Sequence, residues 1–180
     1  MSALDDLRDA IPEAARVLKL NLDAVLTESS LSPAQRWGVA VASAVASRNA
    51  SLRDAVLADS RAQVDGAVID DGIAAAALMA MNNVYYRFRH YMGRETYSRM
   101  PARLRMNRLA KPAGSKTDFE LYCLAASAIN GCETCVKAHE KVVLAGGLTE
   151  EQVHDAVRIA AVIQGAAVAL DLAPPVAGGG

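Results

Sequence analysis

Two thiols and an imidazole stand within one short stretch of the chain, Asn130-Gly131-Cys132-Glu133-Thr134-Cys135-Val136-Lys137-Ala138-His139-Glu140. Cys132 and Cys135 are three residues apart, and Cys135 and His139 are four apart. A helix would carry all three on one stripe. Two sulfurs one turn apart can close a disulfide without rebuilding the backbone. The segment also opens a helix, where unpaired N–H groups and the positive end of the dipole favour a thiolate. A histidine one turn along can take or return the thiol proton near neutral pH. The pattern points to dithiol–disulfide chemistry. Two other readings compete with it. A C-x-x-C with a third cysteine and a histidine could supply four zinc ligands. The third cysteine, Cys123, however, lies within an apolar stretch, and the chain holds no second ligand pair. Buried, inert cysteines beside a satisfied histidine are the third reading, and the polar flanks and the spaced histidine weigh against it.

Glu120 stands twelve residues before Cys132 in an otherwise apolar stretch. A surface carboxylate is the default for any glutamate, but an antiparallel pair of helices could bring this one against His139. It would then orient the ring and raise its basicity. The order of the two sulfurs is open to two arguments. Position at the helix start nominates Cys132 as the nucleophile; spacing from His139 nominates Cys135. Cys123 reads as a small core residue. His90 and His154 have no thiol or carboxylate at helical spacing that singles them out.

The elements that must position these groups read as helices throughout, and the fold class is all-α. Of 180 residues, 52% are hydrophobic and only 4% aromatic, so the apolar content is chiefly Ala, Val and Leu, which favours helix. Expected segments are one opening at Leu4–Leu7, one from Ile11-Pro12-Glu13 to about Leu26, and one started by Ser32-Pro33 and running to about Ala46. Leu52–Ala58 and Ile73–Val84 follow, the latter preceded by Asp70-Asp71-Gly72. Thr117-Asp118 opens a helix through Ala128, Cys132 begins one ending at Gly146-Gly147, and Thr149 with Gln152 makes a capping box for the last, to about Leu170.

A weak repeat at an offset of 84 residues aligns Ala42-Ser43-Ala44-Val45 with Ala126-Ser127-Ala128-Ile129. At the same offset Arg48 stands where the second half has Cys132, Ser51 where it has Cys135, and Ala55 where it has His139. The expected organisation is a single domain over 1–172, with half-repeats at about 30–86 and 117–172. A basic connector, 87–116, joins them; eight Lys or Arg stand there between Arg87 and Lys111, against the single acid Glu95. That connector reads as a solvated link, a subunit contact or a docking surface for an acidic partner. Residues 173–180, rich in Pro and Gly, read as a disordered tail. A net charge of −1 gives no reason to expect nucleic acid or a membrane surface as partner. The acidic start of the chain, without a basic or apolar run, does not read as a signal peptide, and apolar runs such as Ile159–Leu170 are short for a membrane span. A cytoplasmic location is expected.

Glu120, followed by Asn130-Gly131-Cys132-x-x-Cys135-x-x-x-His139-Glu140 in an Ala-rich helical chain, resembles the alkyl hydroperoxide reductase AhpD family, within the broader carboxymuconolactone-decarboxylase-like group. The resemblance implies a bundle of two duplicated halves assembled as a homotrimer. It implies a thiol-dependent peroxidase that passes electrons from a dihydrolipoyl group on a lipoyl-bearing protein to a partner peroxiredoxin of alkyl hydroperoxide reductase, and to hydroperoxides. No tightly bound cofactor and no metal is implied. By position, Cys135 matches the residue that forms the sulfenic acid and the interchain disulfide with the peroxiredoxin. Cys132 matches the proton donor and resolving thiol of the redox disulfide Cys132–Cys135, and His139 and Glu120 match the proton relay. Thr134 stands where the best-studied members carry a histidine, so the resemblance does not extend to that arm of the relay. A zinc-stabilised interaction module and a decarboxylase of the broader group are the alternatives; decarboxylation would not need two cysteines.

Overall fold

The computed structural model describes residues 2–172, and the expected tail at 173–180 lies outside them. Among the described residues there are ten α-helices and no strand. They are α1 (Ala3–Asp9), α2 (Val17–Thr27), α3 (Pro33–Ser47), α4 (Ala50–Ser60), α5 (Gly66–Met92), α6 (Glu95–Arg99), α7 (Asn107–Ala110), α8 (Lys116–Ile129), α9 (Glu133–Ala145) and α10 (Glu150–Asp171), with a short 3-10 turn at Glu13–Ala15. Side-chain caps start five of the ten, α1, α3, α4, α8 and α10. Ser32 and Gln35 cap each other at α3, with Pro33 in the first helical position, and Thr149 and Gln152 do the same at α10. Ser115 caps α8, accepting from the Asp118 N–H, so that helix begins a residue before Thr117.

Helices α3 and α8 form the centre, with α5 and α10 packed on them. Val39, Val41, Phe119, Leu121, Leu124 and Ile163 are buried completely there. The close approach of α3 to α8 depends on Gly38, where an added Cβ would fall 2.1 Å from Tyr122 Cζ. Tyr122 cannot turn away freely, since its hydroxyl donates to the Ala34 carbonyl at 3.0 Å.

Helix α5 is longer than the sequence pattern indicates. Asp70-Asp71-Gly72 has turn-like composition but lies inside the helix, for two physical reasons. Gly72 lets α5 pack against α3, where a Cβ would meet Val41 Cγ1 at 2.8 Å. Asp71 is buried because the connector satisfies it: Arg108 donates to it, as do the Ala113 and Gly114 N–H groups, at 2.8, 2.9 and 2.7 Å. The far end of α5 runs through Arg87 to Met92, so the basic segment starts on a helix rather than in a loop. Several of its cations are engaged within the chain, Arg87 with the Asn130 carbonyl, Arg99 with Glu95 and Arg108 with Asp70. Helix α5 starts at Gly66 and α10 at Glu150, a spacing equal to the sequence offset.

Helix α10 is long and apolar enough to cross a membrane by length and composition, which the shorter run Ile159–Leu170 does not indicate. In the bundle its Ala156, Ile159, Ala160, Ile163 and Ala167 are buried, and it packs on α2, α3 and α8. Near its start Asp155 accepts from the Ser30 N–H and hydroxyl and from Arg158, at 2.7, 2.8 and 2.8 Å. Burial by itself would raise the Asp155 pKa, but these donors outweigh it and hold the carboxyl below its ordinary value.

Two stability measurements check this packing. Gly38→Ala drives a methyl into the Tyr122 ring and is expected to cost about 3 kcal/mol in urea unfolding, the upper range for overpacking; an unchanged midpoint would show that the helices separate at no cost. Because the folded Asp155 carboxyl has the lower pKa, its stabilisation is present above the unfolded value, near 3.8, and fades as pH falls through the folded one. Asp155→Asn is therefore expected to be less stable than wild type at pH 7, with the gap narrowing as pH falls below the unfolded carboxyl value.

Candidate active site

Helix α8 ends in a turn that fixes where the first thiol stands. The Gly131 N–H bonds the Ala128 carbonyl and the Cys132 N–H bonds the Ser127 carbonyl, both at 3.1 Å. Gly131 takes a left-handed φ of 67°, the conformation this closure requires. The chain reverses within two residues, and Cys132 becomes the N-cap of α9 without a side-chain cap of its own. Helix α9 then returns along α8 and ends in a second turn of the same kind, with Gly147 at φ 97° and the Leu148 N–H on the Val143 carbonyl.

Cys132 and Cys135 are joined as a disulfide, with Cα atoms 5.3 Å apart. Both are buried. The bond lies at the N-terminus of α9, where free N–H groups favour a thiolate when it opens. One turn beyond Cys135, His139 Nδ1 meets Glu120 Oε2 at 2.6 Å. Their side chains are only 12% and 11% exposed, so the contact is shielded from the solvent that would screen it. The antiparallel α8–α9 pair thus brings Glu120 to His139 across nineteen residues of sequence. Cys132, Cys135 and His139 share one flank of α9, at the i, i+3 and i+7 positions, and Glu120 meets that flank from α8.

Cys123 is buried on α8, and burial, followed by Glu120 and Asp71, pushes its thiol pKa up. It stays a neutral thiol near pH 7 and is no rival nucleophile. Among the described residues no group of three or more His, Cys, Asp or Glu side chains is arranged to hold a metal ion. Thr134, between the cysteines, is exposed. His90 Nε2 lies 3.8 Å from Glu133 on the first turn of α9, an exposed contact. His154 takes no part in the site's hydrogen bonds.

Three residues around the site gave no sequence signal of their role there, because that role depends on tertiary contact. Met79, on α5 and buried, sets its Sδ 3.2 Å from His139 Nε2. Asn83, one turn further along α5, donates to Ser127 Oγ at 3.0 Å and accepts from the Asn130 side chain at 2.9 Å. Arg87, one more turn along, donates to the Asn130 carbonyl. Met79, Asn83 and Arg87 are spaced by four, so a single stripe of α5 braces both His139 and the turn before Cys132. A cleft of about 340 Å³ lined by Asn83, Arg87, Asn130 and Gln164 adjoins that turn. The larger cavity, about 620 Å³ between α1, α2, α3 and α4, includes none of the candidate residues.

Residues 95–177 match the carboxymuconolactone decarboxylase family. A protein named alkyl hydroperoxide reductase AhpD from Anaeromyxobacter dehalogenans (strain 2CP-C) is 67% identical over 173 residues, which cover 96% of this chain and 93% of the relative. One of the same name from Anaeromyxobacter sp. (strain Fw109-5) is 63% identical over 179 residues, 99% of this chain and 96% of the relative. Another, from Brucella suis, is 47% identical over 171 residues, 95% and 98% of the two chains. Identity of this degree along nearly the full length leaves one conclusion about descent: the chain belongs to the alkyl hydroperoxide reductase AhpD family.

Proposed function

We propose that the chain is an antioxidant dithiol enzyme. It takes two electrons from a dihydrolipoyl donor into the Cys132–Cys135 disulfide and delivers them to an alkyl hydroperoxide reductase peroxiredoxin, and directly to hydroperoxides. The observation that carries this reading is the disulfide at the start of α9 with an imidazole–carboxylate pair one turn beyond it. The name borne by relatives from two bacterial genera agrees with it.

The chemistry runs in two halves. A donor thiolate attacks the disulfide, forms a mixed disulfide, and releases a cysteine thiolate that takes up a proton. The donor's second thiol then displaces the bound sulfur, leaving the donor as a cyclic disulfide and both cysteines reduced. In the oxidative half Cys135, one turn before His139, loses its proton to the ring and attacks. With a hydroperoxide the O–O bond breaks, the alkoxide takes a proton from solvent and leaves as the alcohol, and Cys135 becomes a sulfenic acid. The Cys132 thiol attacks that sulfur, water departs, and the disulfide returns. With an oxidised peroxiredoxin, Cys135 forms the interchain disulfide and Cys132 resolves it. Glu120 orients His139 and stabilises its positive charge, the part a carboxylate plays behind a catalytic imidazole. Thr134 offers a hydroxyl where the family's well-studied members have a ring; it can hydrogen-bond but does not titrate near neutral pH. No tightly bound cofactor enters this cycle. A homotrimer located in the cytoplasm is part of the same proposal. The match to the decarboxylase family keeps a decarboxylase as the rival, but such a reaction gives the dithiol nothing to do.

A coupled assay with dihydrolipoamide, with and without peroxiredoxin, tests the proposal. Cys132→Ser and Cys135→Ser are each expected to abolish turnover while leaving the helical circular dichroism intact; unchanged turnover in both would end the redox reading. Glu120→Gln keeps the shape but removes the charge facing His139, and a fall in kcat of about a hundredfold is expected, the lower range for positioned proton transfer. A Glu120→Gln variant with wild-type kcat would remove the carboxylate from the relay.

A further inference from the structure

His139 has two ring nitrogens, and the structure gives each a partner. Nδ1 faces Glu120 Oε2 at 2.6 Å. Nε2 faces the Met79 sulfur at 3.2 Å. A thioether has no proton to donate and acts only as a weak acceptor. The contact is therefore satisfied only when Nε2 carries the hydrogen, whichever side of the Nδ1–Oε2 contact the other proton occupies. Met79 is 1% exposed, so water does not compete for that hydrogen from the sulfur's side. The sulfur is itself held: Asn83 Nδ2 approaches it at 3.8 Å while bonding Ser127 Oγ.

With Nδ1 committed to Glu120, Nε2 is the one ring nitrogen left to exchange a proton with a thiol. We propose that Met79 is a positioning residue of this site: in the disulfide form its thioether accepts the Nε2–H of His139 and keeps the ring loaded with the proton that a departing thiolate needs. The inference rests on the dithiol cycle described under Proposed function. When a donor thiolate opens the disulfide, the S–S electron pair leaves on one cysteine sulfur. The Nε2–H proton passes to that sulfur, giving a thiol and a ring with a free Nε2 lone pair. The ring is then the base that accepts the Cys135 proton in the oxidative half, and the proton count closes over one turnover. A sulfur suits this place better than an oxygen. It accepts the hydrogen weakly enough to release it, and its apolar surroundings tolerate it when the contact is broken.

The inference is read first in the oxidised protein, without any turnover. Nitrogen-15 NMR of the histidine rings is expected to find Nε2 of His139 protonated, with its Hε2 slow to exchange and showing a nuclear Overhauser effect to the Met79 methyl. Met79→Leu has nearly the same volume and no acceptor, and core exchanges of this kind are well tolerated. In that variant Hε2 is expected to be lost to solvent exchange, and kcat for disulfide reduction by dihydrolipoamide to fall about tenfold with KM unchanged, a fraction of what positioned proton transfer contributes. Selenomethionine at position 79, which keeps a weak acceptor, is expected to retain both the Hε2 signal and the rate. An unprotonated Nε2 in the wild-type oxidised protein, or Met79→Leu with the wild-type Hε2 signal and kcat, would overturn the inference. Loss of the dithiol cycle alone would appear differently, as cysteine variants with unchanged turnover beside an intact Hε2–Met79 contact.

Discussion

The hydrogen bond from the Cys132 N–H to the Ser127 carbonyl is the constraint on which the site depends. It closes the end of α8 around a left-handed Gly131 and turns the chain back in two residues. Three consequences follow from that single reversal. Cys132 becomes the N-cap of the next helix, so the disulfide forms at the end of α9 whose dipole favours thiolates. The register between α8 and α9 brings Glu120 to His139. The Asn130 carbonyl is left pointing outward, where Arg87 takes it. A longer loop would have left the cysteines in place along α9 and moved the carboxylate out of reach of the ring.

What braces this turn comes from the other half of the chain. Helix α5 supplies Met79, Asn83 and Arg87 from one stripe, and its position is set by packing at the opposite end. There Gly72 admits the Val41 side chain and Asp71 gathers three donors from the connector. Asp71 buried without those donors would cost several kcal/mol. With them it pins residues 108–114 to α5 and leads the chain into the cap of α8 at Ser115. The core thus ties the connector, the bracing helix and the reactive helix into one mechanical unit.

The cysteine–histidine stripe and most helix starts were legible in the sequence because they are local. Spacing of three and four residues is enough to place Cys132, Cys135 and His139 on one face, and capping pairs such as Ser32–Gln35 and Thr149–Gln152 need only their own turn. The Glu120–His139 contact was legible only as an opportunity, since it requires the reversal to have one particular length. Asp70-Asp71-Gly72 misled for the opposite reason. Its composition signals a turn, and only donors some forty residues away make it helix. Met79 left no mark at all; a methionine in an Ala-rich helix looks like core, which it is, and nothing local tells that its sulfur meets a ring from α9. The left-handed Arg48 likewise ends α3 at the position that aligns with Cys132, without a glycine to announce it.

A count of alkylatable thiols through one cycle tests the central claim most directly. After dihydrolipoamide treatment and denaturation, mass spectrometry should find three labelled cysteines per chain, matching the three in the sequence. After one equivalent of a hydroperoxide the dithiol cycle predicts a single label, on Cys123, with Cys132 and Cys135 rejoined. Three labels persisting in the presence of peroxide, or labels lost from Cys123 instead, would contradict electron transfer through this disulfide.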